Sequence, residues 1–393
     1  MLGITEEQHA DRCRLFAQWQ GIKWPILHDP INVTQTGVVP LFLAIDERGI
    51  VRFRNPRLST FETDFVNRDF ADLPAPAVDL PRPITPPHPA TAAELDARLD
   101  VARQQGTSAA WRQAADALVL WSGVTRIDDA MQAYRTALKL APHDGDSLFR
   151  LGVCFRMRYD SPHRGPHDFQ RAVDLWSRAL AEDPNQYIWR RRIQQYGPRL
   201  IKPYPFYDWV ARATSEITAR GETPIRLAVA PSGAEIARPV KHAELSPGDA
   251  TPPDPQGRIH RDKKPLIETE VVVVPAKIRP GATARVHVRF SPNRRLGAHW
   301  NNEAEPLALW IDAPDGWQLS RRLLKAVQPD QAESTEERRL EFELRAPPGA
   351  KHGTVLSAYA LYYVCEEAGG TCLFLRHDVE IPVKILAAQA AMP

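Results

Sequence analysis

The sequence predicts a multidomain α+β protein in which a short α/β unit precedes a helical array and an antiparallel β-sandwich. Short apolar runs broken by turn residues occupy both ends of the chain, and a helical pattern repeats in the middle. Proline-rich stretches separate these parts, and 393 residues leave room for roughly two to four domains. The predicted division is an α/β unit at 1–70, a linker at 71–91, helices at 92–220, a second linker at 221–265 and the sandwich at 266–387.

The N-terminal unit has the pattern of a strand, a helix, a loop and two further strands. After a short apolar run, Thr5 and Gln8 have the spacing of a capping box that opens a helix. The run Val38–Ile45 is followed by the turn residues Asp46–Gly49 and then by Ile50–Phe53, which predicts a hairpin.

These residues resemble the C-terminal half of a thioredoxin-like fold of the alkyl-hydroperoxide-reductase and thiol-specific-antioxidant (AhpC/TSA, redoxin) family. In that family a proline like Pro40, often in a cis bond, precedes the hairpin strands, and an Asp-x-x-Gly turn like that at Asp46 joins them. The family's nucleophilic cysteine lies upstream of everything present here, so the resemblance implies no active peroxiredoxin. We therefore expect that Met1 is not the natural start, and that Cys13 is a packed, inert thiol.

The middle of the chain contains a repeat. Small residues, an aromatic residue and a proline recur with the same offsets: Ala130, Tyr134, Ala137 and Pro142, then Ala172, Trp176, Ala179 and Pro184, with Leu148, Leu151, Gly152 and Phe155 before the second set. This pattern resembles the tetratricopeptide repeat (TPR), which implies stacked helix pairs with a concave groove. We expect helices at 92–105, 185–196 and 206–220 to complete the array, and the groove to bind a partner peptide or a neighbouring domain of this chain.

The second repeat is longer than usual by about eight residues, because extra residues surround 160–166. His163 and His167 fall in this insertion, where Pro162, Gly165 and Pro166 interrupt a helix. We predict that both histidines lie in a loop.

The C-terminal part contains alternating segments with no helix between them, which predicts an antiparallel sandwich. The predicted strands are 268–274, 284–290, 307–311, 339–344, 355–364 and 373–385. Cys365 and Cys372 flank the last turn, so they should face one another across the hairpin. Directly opposed residues are slightly too far apart for a relaxed disulfide, which predicts a bond that is feasible, somewhat strained and reducible.

The segment Tyr362–Cys365, the following Glu-Ala-Gly stretch, Cys372 and the segment Gly297–Asn302 resemble the immunoglobulin-like N-terminal domain of the bacterial thiol:disulfide interchange protein DsbD. In that family the cysteine pair cycles between dithiol and disulfide, which implies the same catalytic role for Cys365 and Cys372. The family domain is periplasmic. The first residues here lack the apolar core of a secretory signal, so we expect a cytoplasmic protein as given, or a periplasmic one if the true N-terminus lies upstream.

A structural clip or two free thiols remain the alternative for this pair. Glu366 and Glu367 should raise the thiol pKa unless Arg376 or His377 offsets them. For an active pair, we expect a Cys372→Ser variant to trap a partner on Cys365.

Composition excludes several other functions. The net charge of +2 is spread in mixed sign, so no nucleic-acid partner is expected, and no apolar stretch is long enough for a membrane span. We expect no cofactor. His299, with His260, His287 or His377, has no diagnostic metal-ligand spacing, so no metal is predicted either. The leading hypothesis is a redox relay with a thioredoxin-like protein partner, and the alternative is a non-catalytic TPR scaffold or adaptor.

Overall fold

The computed structural model describes residues 1–70, 90–199, 207–236, 250–366 and 370–386. Within them, helices fill the middle of the chain and antiparallel sheets form its C-terminal part, which confirms a mixed α+β protein with several parts. The stretch 71–89, predicted as an extended linker, lies outside the described residues. None of the described helices is long and apolar enough to cross a bilayer.

The N-terminal unit contains six short elements: β1 (Gly3–Thr5), α1 (Ala10–Gln20), β2 (Ile26–His28), β3 (Leu43–Ile45), β4 (Val51–Arg54) and a π-helical turn (Glu62–Val66). β1 and β2 form a parallel pair, and β3 and β4 form the predicted hairpin as a separate two-stranded sheet. The Asp46 carboxylate accepts the backbone N–H groups of Arg48 and Ile50 in the turn, and the Val39–Pro40 peptide bond is cis. β2 was not predicted, and β3 is shorter than the predicted run.

The predicted capping box at Thr5 is wrong. Thr5 ends β1, and α1 begins at Ala10 after His9, whose side chain makes no capping hydrogen bond. The Glu7 carboxylate accepts the N–H groups of Gln8 and His9 instead. A Thr-x-x-Gln motif can therefore lie at the end of a strand, rather than cap a helix, when the chain pairs with a distant segment, here β2.

The array consists of six helices: α2 (Ala92–Gln105), α3 (Ser108–Ser122), α4 (Ile127–Leu140), α5 (Gly145–Tyr159), α6 (Asp168–Glu182) and α7 (Tyr187–Tyr196). Each packs against the next along the chain. The loop between α5 and α6 contains His163 and His167 as predicted, and His167 has a left-handed backbone with φ +60°.

Gly152 is needed where α5 crosses α6. A Cβ atom at this position would lie 2.6 Å from the Trp176 ring, and the Trp176 side chain is fully buried. Trp176 also stacks on Tyr196 of α7, with ring centroids 5.9 Å apart. The recurring small and aromatic residues therefore mark the places where helices touch.

The last helix, α8 (Trp209–Ala219), belongs spatially to the N-terminal unit. We expected a helix at 206–220 to complete the array, but α8 packs on α1. Trp209 stacks on Trp19 with ring centroids 5.9 Å apart, and the Trp19 indole N–H donates to Glu216. An aromatic contact with the start of the chain, which sequence spacing does not reveal, decides its position.

The C-terminal part contains ten strands in two antiparallel sheets. They are β5 (Ile267–Val274), β6 (Thr283–Pro292), β7 (His299–Asn301), β8 (Ala308–Asp312), β9 (Gln318–Leu319), β10 (Leu323–Lys325), β11 (Glu333–Ser334), β12 (Arg338–Arg345), β13 (Thr354–Cys365) and β14 (Cys372–Val383). One sheet has the order β10-β8-β13-β7-β11, with β14 also paired to β13, and the other has the order β5-β6-β12-β9. Both contribute to one buried core that includes Phe290, Trp300 and Tyr362.

The array touches both of its neighbours in the chain. Ile31 of the N-terminal unit is fully buried in the same apolar cluster as the array helices, and Arg150 of α5 donates to the Ile31 carbonyl. Val272 and Val274 of β5 join this cluster from the other side. Arg164 in the loop after α5 forms an ion pair with Glu337 beside β12.

The second predicted linker is partly packed. The Tyr359 hydroxyl of β13 accepts the backbone N–H of Asp254, and Arg376 of β14 forms an ion pair with the Asp254 carboxylate at 3.0 Å. Residues 250–262 therefore lie across one face of the sheet, while the linker residues 237–249 are outside the described part of the chain.

Candidate redox site on the final hairpin

Cys365 and Cys372 lie at the turn end of the hairpin formed by β13 and β14. They are directly opposed in the strand register and form a disulfide, with Cα atoms 3.9 Å apart. The Glu366 N–H donates to the Thr371 carbonyl and continues the pairing by one step. The structure therefore places the two cysteines face to face, as the hairpin pattern predicted, although the turn residues 367–369 are outside the described range.

The two halves of the disulfide differ in exposure. Cys365 is only 2% exposed, whereas Cys372 is an exposed residue. An incoming thiolate must reach a sulfur along the axis of the bond that breaks. Cys372 is therefore the accessible partner, and Cys365 is the half that would be released into a buried position.

The surface next to Cys372 is aromatic. Tyr363 and Phe374 are opposed two residues before and after the disulfide, and their rings stack with centroids 4.5 Å apart. Residues two apart on a strand face the same side of a sheet, so this pair and the disulfide share one face. Phe374 is 38% exposed, which leaves an apolar platform beside the accessible cysteine.

Charges near the disulfide differ from those expected from the sequence. Lys264 pairs with Glu366, with its Nζ 2.9 Å from a carboxylate oxygen. Arg376 is opposed to Leu361, four residues along β14 from Cys372, and pairs with Asp254 and Asp378. At roughly 3.4 Å per residue, Arg376 lies about 14 Å along the strand from Cys372, which is too far to offset the Glu366 charge at the disulfide.

His377 does not act on the cysteines either. It lies opposite Ala360, and burial lowers the pKa of its imidazole. The offsetting charge near Glu366 comes from Lys264, a residue of the predicted linker that sequence reasoning missed. Glu367, the other acidic residue considered for this role, is outside the described residues.

A histidine lies on the other side of Cys365. β7 pairs with β13 so that His299 is opposed to Cys365 and Trp300 is opposed to Val364. Val364 and Trp300 belong to the buried core, so Cys365 and His299 share the opposite face. The row His299, Cys365 and Cys372 therefore crosses three neighbouring strands.

The remaining sequence candidates lie elsewhere. Cys13 is partly buried in α1, and burial raises the pKa of its thiol to about 11, in agreement with an inert cysteine. His287 lies between Glu341 and the Tyr196 carbonyl, 3.0 Å and 2.8 Å away. Among the described residues, no group of three or more His, Cys, Asp or Glu side chains has the arrangement of a metal site.

Comparison with known proteins yields little. No family model and no curated protein matches the chain. Solved structures similar to part of it include AvmM, which catalyzes macrocyclization in alchivemycin A biosynthesis (12% identity, 34% of this chain, 98% of that chain, TM-score 0.19). Two others are the sporulation control protein Spo0M from Bacillus subtilis (11%, 31% and 50%, 0.17) and a FixG-related protein from Vibrio parahaemolyticus (10%, 30% and 97%, 0.16). Similarities at these TM-scores support no inference.

Proposed function

We propose that this chain is a thiol–disulfide exchange protein in which Cys365 and Cys372 pass electrons to or from a thioredoxin-like dithiol partner. The observation that supports it most is the disulfide with one exposed half at the turn end of the hairpin. We also propose that the three parts are a partial thioredoxin-like unit, a TPR-type array and an immunoglobulin-like sandwich of the DsbD kind.

A purely structural disulfide would add little here. β13 and β14 are paired from Thr354 and Val383 up to the cysteines themselves, so the two sulfurs are already held together. In the chain-entropy model, closing so short a loop contributes roughly 2 to 3 kcal/mol, and the hairpin already supplies most of that constraint. This redundancy favours a chemical role over a clip.

The exchange would proceed in two balanced steps. A partner thiolate attacks the Cys372 sulfur, a new S–S bond forms, and the Cys365 sulfur leaves with the electron pair of the broken bond. The second thiolate of the partner then attacks its own sulfur in the mixed disulfide and releases the Cys372 thiolate. Two electrons and two protons have moved from the dithiol to the cysteine pair, and the reverse sequence oxidises a dithiol partner.

The order of attack differs from that expected from the sequence alone. The sequence alone predicts that a Cys372→Ser variant traps a partner on Cys365. Because Cys372 is the exposed half, we now expect the Cys365→Ser variant to accumulate the mixed disulfide on Cys372, since the resolving thiol is missing. The Cys372→Ser variant should accumulate less, because its remaining thiol is buried.

The test first converts the remaining thiol of each variant to its mixed disulfide with thionitrobenzoate, using the symmetric aromatic disulfide as oxidant. A thioredoxin whose resolving cysteine is replaced then displaces thionitrobenzoate, and mass mapping identifies the adduct. The wild-type disulfide should also be reduced by a mild dithiol without denaturant, with thiols counted before and after. A disulfide that yields only in denaturant, or equal absence of adduct from both variants, would overturn the exchange function.

A scaffold is the second candidate, and one observation favours it. The array contacts both the N-terminal unit and the C-terminal sheets, because its buried cluster includes Ile31 from the N-terminal unit and Val272 from β5. Surfaces of the array that could bind a peptide are thus partly used for contacts within the chain. Failure of the thiol experiment, with an intact fold, would make the scaffold the better description.

A further inference from the structure

His299 stands out as the titratable side chain opposed to the buried half of the disulfide. It is paired with Cys365 across β7 and β13, and directly opposed residues have Cβ atoms about 4.5 to 5.5 Å apart. The two residues are distant in sequence, so only the pairing of these strands brings them together.

Both ring nitrogens of His299 lie near oxygen atoms. Its Nδ1 is 3.2 Å from the Gly297 carbonyl oxygen, and its Nε2 is 3.5 Å from a Glu333 carboxylate oxygen. Both oxygens are acceptors, and only the imidazolium can donate from both ring nitrogens. Nε2 is buried and makes no hydrogen bond in the present geometry, so it remains available to act as a donor.

The Glu333 carboxylate, 3.5 Å from Nε2, offsets part of the positive charge of a protonated His299. Glu333 faces it from β11, and Cys365 faces it from β13. The Lys264–Glu366 ion pair at the hairpin end is neutral as a unit. Arg294 and Arg295 of the turn before β7 are exposed to solvent, where their charges are screened.

Opening the disulfide requires a negative charge at a buried position. When a thiolate attacks Cys372, the Cys365 sulfur must leave as a thiolate, although burial disfavours that charge. A cation one strand away favours the thiolate, and a more stable leaving thiolate departs faster. We propose that His299 supplies this charge and thereby accelerates opening of the Cys365–Cys372 bond, a role that rests on the proposed function of the pair.

The proton balance is simple. The Cys365 thiolate keeps the electron pair of the broken bond and takes a proton from solvent, because both ring nitrogens of His299 face other oxygen atoms. On closure, solvent accepts the proton of the Cys365 thiol, and the resulting thiolate attacks the mixed disulfide on Cys372. His299 acts through its charge alone and is unchanged after a full cycle of reduction and oxidation.

The experiment measures the rate at which dithiothreitol reduces the disulfide in the full-length protein, from about pH 5 to about pH 8.5. Each rate is divided by the thiolate fraction of dithiothreitol. In the wild type the corrected rate should decline as pH rises, because a neutral imidazole no longer favours the Cys365 thiolate as the leaving group. In His299→Gln the corrected rate should be low and independent of pH, while the exposed-histidine control His352→Gln should match the wild type.

A second variant guards against misfolding of His299→Gln. Glu333 is largely exposed, so Glu333→Gln should fold normally, and it should lower the corrected rate near neutral pH, because the charged imidazole loses a neighbouring carboxylate. Unchanged profiles in both variants, with a wild-type disulfide that dithiothreitol reduces readily, would overturn the role of His299 and leave the exchange function standing. A wild-type disulfide that resists reduction would overturn the exchange function itself.

Discussion

The helical array and the N-terminal unit bury their apolar side chains to very different extents. In the array, Tyr134, Phe149 and Trp176 are fully buried. In the N-terminal unit, several strand residues are about half exposed: Ile4, Leu27, Leu43, Ile45 and Val51. The array forms a core from its own helices, whereas the N-terminal strands do not cover one another.

The N-terminal unit is instead held by contacts with other parts of the chain. Ile31 is buried among the array helices, and Arg12 is 1% exposed and paired with Glu235, with Nη1 and Oε1 2.5 Å apart. Gln195 of α7 donates to the same carboxylate at 2.7 Å. The comparison indicates that repeats stabilise themselves through local contacts, while short strands depend on distant partners.

The largest expected effect tests the core of the array. Trp176→Ala should destabilise the protein by about 3 to 5 kcal/mol, because it leaves a cavity between α5, α6 and α7. Thermal and urea unfolding measure this change, with Trp121→Ala, 45% exposed at the end of α3, as the control. Unchanged stability of Trp176→Ala would show that the repeat register is wrong.

The next prediction concerns the dependence of the N-terminal unit on its distant partners. Glu235→Gln should cost about 3 kcal/mol, because it removes the nearer carboxylate partner of the buried Arg12 guanidinium and leaves Glu7 at 3.7 Å. Leu27→Ser, at a half-exposed strand position, should change stability by less than about 0.5 kcal/mol. If urea denaturation gave the reverse order, the strands rather than Glu235 would hold this unit.

A smaller effect is expected where α5 meets α6. Alanine is the better helix former, but the Cβ of Gly152→Ala would approach the Trp176 ring, so we expect a net loss of about 1 to 2 kcal/mol. In a Trp176→Leu background the same substitution should cost less, because the smaller side chain leaves room. A double-mutant cycle measures the difference, and equal costs in both backgrounds would argue against this contact.

The last prediction concerns the pH dependence of stability. Burial, and then the neighbouring Asp29, raise the pKa of Glu6 to about 7, and its Oε2 is buried without a hydrogen-bond partner. The folded state therefore holds this proton more tightly than the unfolded state, so stability should fall as pH rises from 4.5 to about 7.

Glu6→Gln should remove this fall, and exposed Glu62→Gln should not. The measurement is the free energy of unfolding in urea at about pH 5 and about pH 8, on either side of most of this titration. The same decline in wild type and Glu6→Gln would assign the pH dependence to another group.

Periodicity allowed the array and the long strands to be predicted. The offsets of Ala130, Tyr134 and Ala137 match helix contacts within one repeat, and alternation along 355–364 matches β13. The facing of Cys365 and Cys372 followed from the hairpin, because a tight turn fixes which residues are opposed. In each case neighbours in space are also neighbours along the chain.

Only the tertiary structure decided the surroundings of the disulfide and the position of the last helix. His299 reaches Cys365 through pairing of β7 with β13, Lys264 reaches Glu366 from a segment predicted as a linker, and α8 packs on α1. These partners are separated by long stretches of chain, and no periodic pattern links them. Local sequence thus determined the repeat helices, the long strands and the facing of the two cysteines, whereas the short strands and the charges beside the disulfide depend on long-range strand pairing and packing, which local propensity does not specify.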